Sequence, residues 1–468
     1  MSLPTCSSVP SVYEEVHFCS LQSQSNVYGL ASLSPTAALS KVLVASIRGK
    51  VISLEFQKSV KSTPSSKEIH FTYIPGDAEI VSIDTFTKPA PSLASVVGIT
   101  FIKTNEGKRN QFLNIYSHWE PGGAGDLDRI AQACDTHELN FIPYQLLHAE
   151  IVSNCNREAV FLLSGSDHVM HMYRENRISQ AFIEDNVKEY FPEFCDIGSS
   201  ITWVDIQNRP DENERVTAFG CQNGTISVNR VDMQKNSILS SWTLQHDGPI
   251  TSLQIFTLNN SMSCPNYVPE DYVEEEGRDK AAGHLHLVVT DALEVAVVYR
   301  NILEKGLEEP LILHESDQYD SVLCCCVADV DFDGQKEILL GTYGQELLAY
   351  KLVHKNTSPN HSLLEEQRKG GNKDTSPEKA SLQSGEFRLL WRRSFAYPLL
   401  ALRVLDITGD GVEEIMVLSL QGLHVLKQNV DEVATICLNR LKLLSHQTDT
   451  EEDDIFQQLQ SEHFGEDP

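Results

Sequence analysis

Apolar and polar positions along this 468-residue chain fall into one recurring unit. A β-branched or aromatic-rich apolar run leads into a tight turn containing Gly, Asp or Asn, and a second apolar run follows. The unit occurs as KVLVASIRGKVISLEF from Lys41, as LASVVGITFIK from Leu93 with FLNIY from Phe112, as AVFLLSGSDHVMHMY from Ala159 and as RVTAFGCQNGTISVNRV from Arg215. It returns as HLHLVVTDALEVAVVY from His284, EILLGTYGQELLAYK from Glu337 and EIMVLSLQGLHVLK from Glu414. Two such runs joined by a short turn predict a β-hairpin. Seven copies, at a spacing of roughly 50 to 80 residues, predict seven blades with long connections between strands.

The connections decide between a ring and two sandwiches. A sandwich pair would need a linker near the middle of the chain, and none is visible. The polar stretches 58–67, 120–128, 259–283 and 354–385 fall between copies instead. A ring gives every hairpin a neighbour to stack on and protects strand edges. Helical periodicity between the strands is scarce, which disfavours a parallel α/β fold. The expectation is an all-β, seven-bladed β-propeller over residues 16–428, after a flexible N-terminal segment 1–15. Disordered insertions are expected at about 259–283 and 354–385, and an acidic disordered tail over 448–468.

Between blade and tail, residues 429–447 read as an amphipathic helix. Val430, Val433, Cys437, Leu441 and Leu444 share one face, with Asp431 and Glu432 at the start and Arg440 and Lys442 near the end. Packing on the propeller rim is the plainer reading, and docking of a partner the sharper one.

Charge narrows the function. The 66 acidic residues outnumber the 37 basic ones, for a net charge of -29. Nucleic-acid binders neutralise phosphates with clustered Lys and Arg, so that class is excluded, as is broad adhesion to an anionic bilayer. The N-terminus MSLPTCSSVP has neither a basic start nor an apolar stretch, and no apolar run is long enough to span a membrane. The eleven cysteines contain no Cys-x-x-Cys pair, so a reducing, intracellular setting is expected. In a strand, the consecutive Cys324, Cys325 and Cys326 alternate between faces.

Two loops carry candidate metal chemistry. Asp329, Asp331, Asp333 and Glu337 precede the sixth copy, and Asp406, Thr408, Asp410 and Glu414 precede the seventh. Oxygen side chains fall at positions one, three, five and nine, with Gly334 or Gly411 at six. Such alternation converges hard oxygen ligands on a cation, and Gly permits the sharp turn. Position twelve is Leu340 or Val417 and a strand follows, so this is not an EF-hand. A loop of this kind before a strand resembles the FG-GAP calcium loops of integrin-type propellers. Two readings follow: a calcium site, better in the first loop, or a remnant in which Asp and Gly shape the turn. Thr408 removes a charge from the second loop, and the two Glu stand where that pattern has Asp, so the remnant is preferred and no cofactor is expected.

Catalytic patterns are absent. The chain has no G-x-S-x-G elbow, phosphate loop or G-x-G-x-x-G, and His137-Glu138 and His314-Glu315 lack the second His of a zinc motif. Propellers also assemble sites from distant loops around the axis, so local motifs are not the whole test. The expectation is a protein that is not an enzyme.

Several long segments carry a further resemblance. SQSNVYGLA from Ser23, YIPGDAEIVSIDTF from Tyr73, IAQACDTHEL from Ile130, SDQYDSVLC from Ser316 and DITGDGVEE from Asp406 resemble the kaptin family of KICSTOR subunits. The resemblance spans Ser23 to about Leu426. It implies a scaffold that recruits the GATOR complex to the lysosome and supports inhibition of TOR complex one during starvation. It implies other KICSTOR subunits as partners, among them an FG-GAP-repeat propeller that would form a heterodimer and a very large scaffold subunit. It also implies an alternative, an actin-associated protein of lamellipodia and stereocilia. The scaffold role implies a cytoplasmic location, peripheral on the lysosomal membrane rather than inserted in it, and the alternative implies lamellipodia, stereocilia and the actin cytoskeleton.

Overall fold

A computed structural model describes residues 13–429, apart from 34–39, 58–62, 89–93, 106, 118–126, 154–155, 210–212, 259–283, 294 and 355–384, together with positions 431–435, 438 and 441–442. The expected insertions lie largely outside the described residues, and the acidic tail wholly so.

The strands form seven four-stranded antiparallel sheets. Six sheets use strands consecutive in sequence, over residues 30–69, 79–139, 143–185, 201–245, 250–312 and 322–394. The seventh joins three strands over 399–428 to the first strand of the chain, Tyr13–Ser20. Tyr13 pairs with Gln428 and Ser20 with Gly422, so the two ends of the ring are stitched by a ladder. Three residues expected in the flexible segment, Tyr13 to Glu15, therefore belong to a blade, because the last sheet needs an outer strand.

Sequence periodicity explains how blades hold together. Side chains of a strand alternate between faces, and each face of a blade meets a different neighbour. Leu43 and Ala45 pack toward the second blade, while Val42 and Val44 pack toward the seventh. Cys324 and Cys325 divide in the same way between the two neighbours of the sixth blade. The core is thus seven apolar clusters, one at each blade–blade interface. The cluster between the seventh and first blades is as dry as the others, with Val42, Leu54, Met416 and Val425 fully buried, so the ring is closed. Each buried aliphatic side chain contributes about 1.5–3 kcal/mol.

Beyond the ring, positions 431–435, 438 and 441–442 are helical. Val433 is buried, whereas Leu438 and Leu441 are exposed, so of the expected apolar face Val433 is covered and Leu441 is not. No helix among the described residues is long and apolar enough to cross a membrane.

Candidate functional site

The first strand of each blade lines the axis, and successive strands run antiparallel toward the rim. The ring therefore has two unlike faces. One carries the turns between second and third strands, such as 47–49, 166–169, 222–224 and 343–345. The other carries the connections from first to second and from third to fourth strands, including the two acidic loops. The strand ends joined by 259–283 and by 355–384 also lie on this loop face.

The turn face displays large apolar side chains. Tyr73, Ile142, Val169, Leu293, Tyr343 and Tyr397 are exposed around it, with Tyr73 and Leu293 keeping 74% and 71% of their surface. Tyr73 has φ 65°, a left-handed conformation that is costly for an aromatic residue. Bulky apolar groups held at solvent around one face mark an interaction surface.

The loop face also exposes an apolar side chain, Ile178, but its two acidic loops are electrostatic. In the sixth blade, oxygens of Asp329, Asp331 and Asp333 lie within 4.8 Å of one another, and in the seventh so do those of Asp406, Asp410 and Glu414. The carboxylates converge as their spacing predicts. The first Asp of each loop is spent on the backbone. Asp329 accepts the N–H groups of Asp333 at 3.1 Å and Gly334 at 2.9 Å. Asp406 accepts those of Gly409 at 2.6 Å and Gly411 at 2.8 Å. Gly334 and Gly411 take φ of 84° and 86°, the left-handed bend that makes Gly the sixth residue. At position nine, the buried Glu337 accepts the N–H of Val330 at 2.9 Å, and Glu414 that of Ile407 at 3.0 Å.

A lysine then enters each loop from the third strand of its own blade. The Lys351 ammonium contacts Asp331, Asp333 at 2.6 Å and Glu337 at 3.1 Å. Lys427 contacts Asp410, Glu414 at 2.7 Å and the Thr408 hydroxyl at 2.7 Å. Burial works against the charge of both lysines, but the surrounding carboxylates outweigh it and hold both above the usual lysine range. Burial, with Asp331 close by, pushes the Glu337 carboxyl up to about 7. Burial likewise opposes ionisation of Asp333 and Asp410, yet their lysine partners hold both below the usual carboxylate range. A calcium ion in either loop would have to displace an ammonium already bonded to the same oxygens, so the side chains present fit an internal cation better than a bound one. Linear spacing within a loop does not contain these lysines. The hairpin register does: Ile338 pairs with Tyr350 and Ile415 with Leu426, which sets Lys351 and Lys427 beside the ninth-position Glu.

Trp391 lies 6.0 Å from Tyr13, and Arg393 two residues on donates to the Tyr13 carbonyl at 2.7 Å, which helps fasten the closing strand.

A family model for KICSTOR complex protein kaptin matches residues 13–438. A curated Mus musculus protein, also described as KICSTOR complex protein kaptin, is 44% identical over 429 residues, covering 92% of this chain and 91% of that protein. Among solved structures, BBS1N in complex with ARL6DN aligns with TM-score 0.49 at 10% identity, covering 90% of this chain and 98% of its own. Chaetomium thermophilum Raptor aligns with TM-score 0.45 at 9% identity, covering 89% of this chain and 29% of its own. The matched span runs from the closing strand through all seven blades, and on that match this chain belongs to the family of KICSTOR complex protein kaptin.

Proposed function

We propose that the chain is a non-catalytic scaffold subunit of a KICSTOR-like complex, one that recruits the GATOR complex to the lysosome and supports inhibition of TOR complex one during starvation. The observation that carries this reading is the family match over the whole ring. A match confined to one blade would speak only for a fold.

The turn face supports the reading physically, because its exposed Tyr73, Leu293 and Tyr343 suit burial against another folded protein. We assign it to an FG-GAP-repeat propeller partner, in a heterodimer that a very large scaffold subunit carries further. Contact with GATOR is then indirect, and attachment to the lysosome comes through other subunits, in keeping with a peripheral cytoplasmic protein. A net charge of -29 opposes direct contact with an acidic filament, which weighs against the actin-associated alternative. The acidic loops serve this scaffold as structural clasps, with Lys351 and Lys427 as resident cations rather than calcium.

Affinity capture of the full-length chain from cells tests the reading. Stoichiometric recovery of a second propeller and a very large subunit is expected. Recovery of this chain alone, as a stable monomer, would overturn it.

A further inference from the structure

The axis of the ring holds a chemistry that the scaffold reading does not use. Six of the seven innermost strands carry a register irregularity near the turn face, between Ile80 and Ser82, Pro143 and Leu146, Ile201 and Trp203, Ile250 and Ser252, Val322 and Cys324, and Leu399 and Ala401. Two residues beyond each irregularity stand Asp84, His148, Asp205, Gln254, Cys326 and Arg403. All six line one cavity of about 290 Å³. In the remaining blade the register gives Ala31, opposite Leu43, where Asp84 stands opposite Gly98. One level of the channel is therefore a ring of hydrogen-bonding and charged side chains, set there by a repeated bulge. Bulges re-aim side chains and recur beside functional sites.

The members differ in commitment. His148 Nδ1 and Asp84 Oδ2 lie 2.8 Å apart, and the nearby Asp84 carboxylate raises the imidazole above its usual range. Asp205 lines the cavity and accepts the Ile255 N–H at 2.7 Å. Arg403 is exposed to the channel, and among the described residues no side-chain hydrogen bond or ion pair of its own is formed. Its positive charge lies close enough to influence His148, Asp205 and Cys326 around the same cavity. Toward the turn face the cavity is roofed. Tyr28 of the first blade donates to the Thr202 carbonyl of the fourth at 2.6 Å, with its ring 5.8 Å from Trp203.

A guanidinium that forms no hydrogen bond or ion pair among the described residues, lining one cavity with a carboxylate-tied imidazole, calls for an anionic group. Asp205 and Gln254 call for donors on the same molecule. We infer that this ring binds a small hydroxylated anion, with a carboxylate or phosphate held by Arg403 and His148 and a hydroxyl donated to Asp205.

Isothermal titration of the full-length chain tests this with citrate and glycerol 3-phosphate, and with glycerol as the uncharged control. Saturable binding of at least one anion is expected, and which one binds separates the carboxylate from the phosphate source. Arg403→Ala should weaken it about 10- to 100-fold, as loss of a charge-assisted bond does. His148→Gln should weaken it in the same direction. If citrate binds, its deoxy analogue tricarballylate should bind more weakly, and Asp205→Asn should erase that preference. Absence of saturable binding by both anions up to about 10 mM, a range that still reports weak sites, would overturn the inference. So would affinity unchanged in a folded Arg403→Ala chain. Neither result bears on partner capture, so this inference and the scaffold reading fail separately.

Discussion

The two faces of the ring divide labour by chemistry. The turn face shows aromatic and aliphatic side chains to solvent, Tyr73 and Leu293 foremost. The loop face pairs its charges with one another, as the Lys351 and Lys427 clasps do. Apolar surface gains free energy only when something covers it. A clasped carboxylate has already met its counter-charge. The contrast teaches that the first face is available to a partner, while the second chiefly stabilises the blade that carries it.

Substitutions should therefore dissociate stability from assembly. The largest effect is expected at the clasp. Glu337→Ala strands the buried Val330 N–H and empties the buried space its carboxyl fills, which together cost about 3–5 kcal/mol. Urea denaturation should report that loss, while partner capture at a temperature where the variant is folded stays unchanged. Next comes the opposite face. Tyr73→Asp, Leu293→Asp and Tyr343→Asp together should weaken capture of the partner about 100-fold, which is ~2.7 kcal/mol, with little change in melting temperature. If capture survives this triple change, the assignment of the faces is wrong.

A pH series sharpens the same comparison. The Glu337 carboxyl rises from 4.5 to about 7 on folding, so the folded chain holds that proton more tightly. Its contribution is full below about pH 4.5 and is lost as pH rises through about 7. Wild type should lose roughly 2–3 kcal/mol relative to Glu337→Gln across that window, and equal slopes in thermal melts at each pH would contradict the burial argument. The smallest effect is a near-absence. Millimolar calcium should move the wild-type melting temperature by less than about 1 °C, since a ligand stabilises only what it binds. Lys351→Met, with its carboxylates uncovered, should gain a calcium-dependent rise. A rise of the same size in wild type would restore the loops as ion sites.

Much of this was legible from residues alone, and the reason is visible in the blades. All seven units read from the pattern are the second and third strands of a sheet. Those strands are covered on both sides, so they read as apolar runs: Glu214–Cys221 and Leu285–Asp291 are buried at every position. Outer strands are wetter and carry a weaker signal. Ser237–Gln245 has no buried residue, and Tyr13–Ser20 buries only its first residue and Cys19. That is why the closing strand, which starts at Tyr13, extends into a stretch that reads as flexible. The carboxylates of the acidic loops were equally legible, because their spacing is local. Lys351 and Lys427 were not, because they follow Glu337 and Glu414 by a hairpin's length.

What the sequence determined by itself is the set of local geometries. Alternation made strands, Gly at 334 and 411 made left-handed bends, and repetition made seven blades of one kind. What only the tertiary structure decided is which side chains meet. Arg403 and Asp205 are almost two hundred residues apart, yet share a channel because a ring returns every first strand to the same axis. Chain order records neighbours along a strand, whereas closure of the circle brings together positions that no local spacing relates.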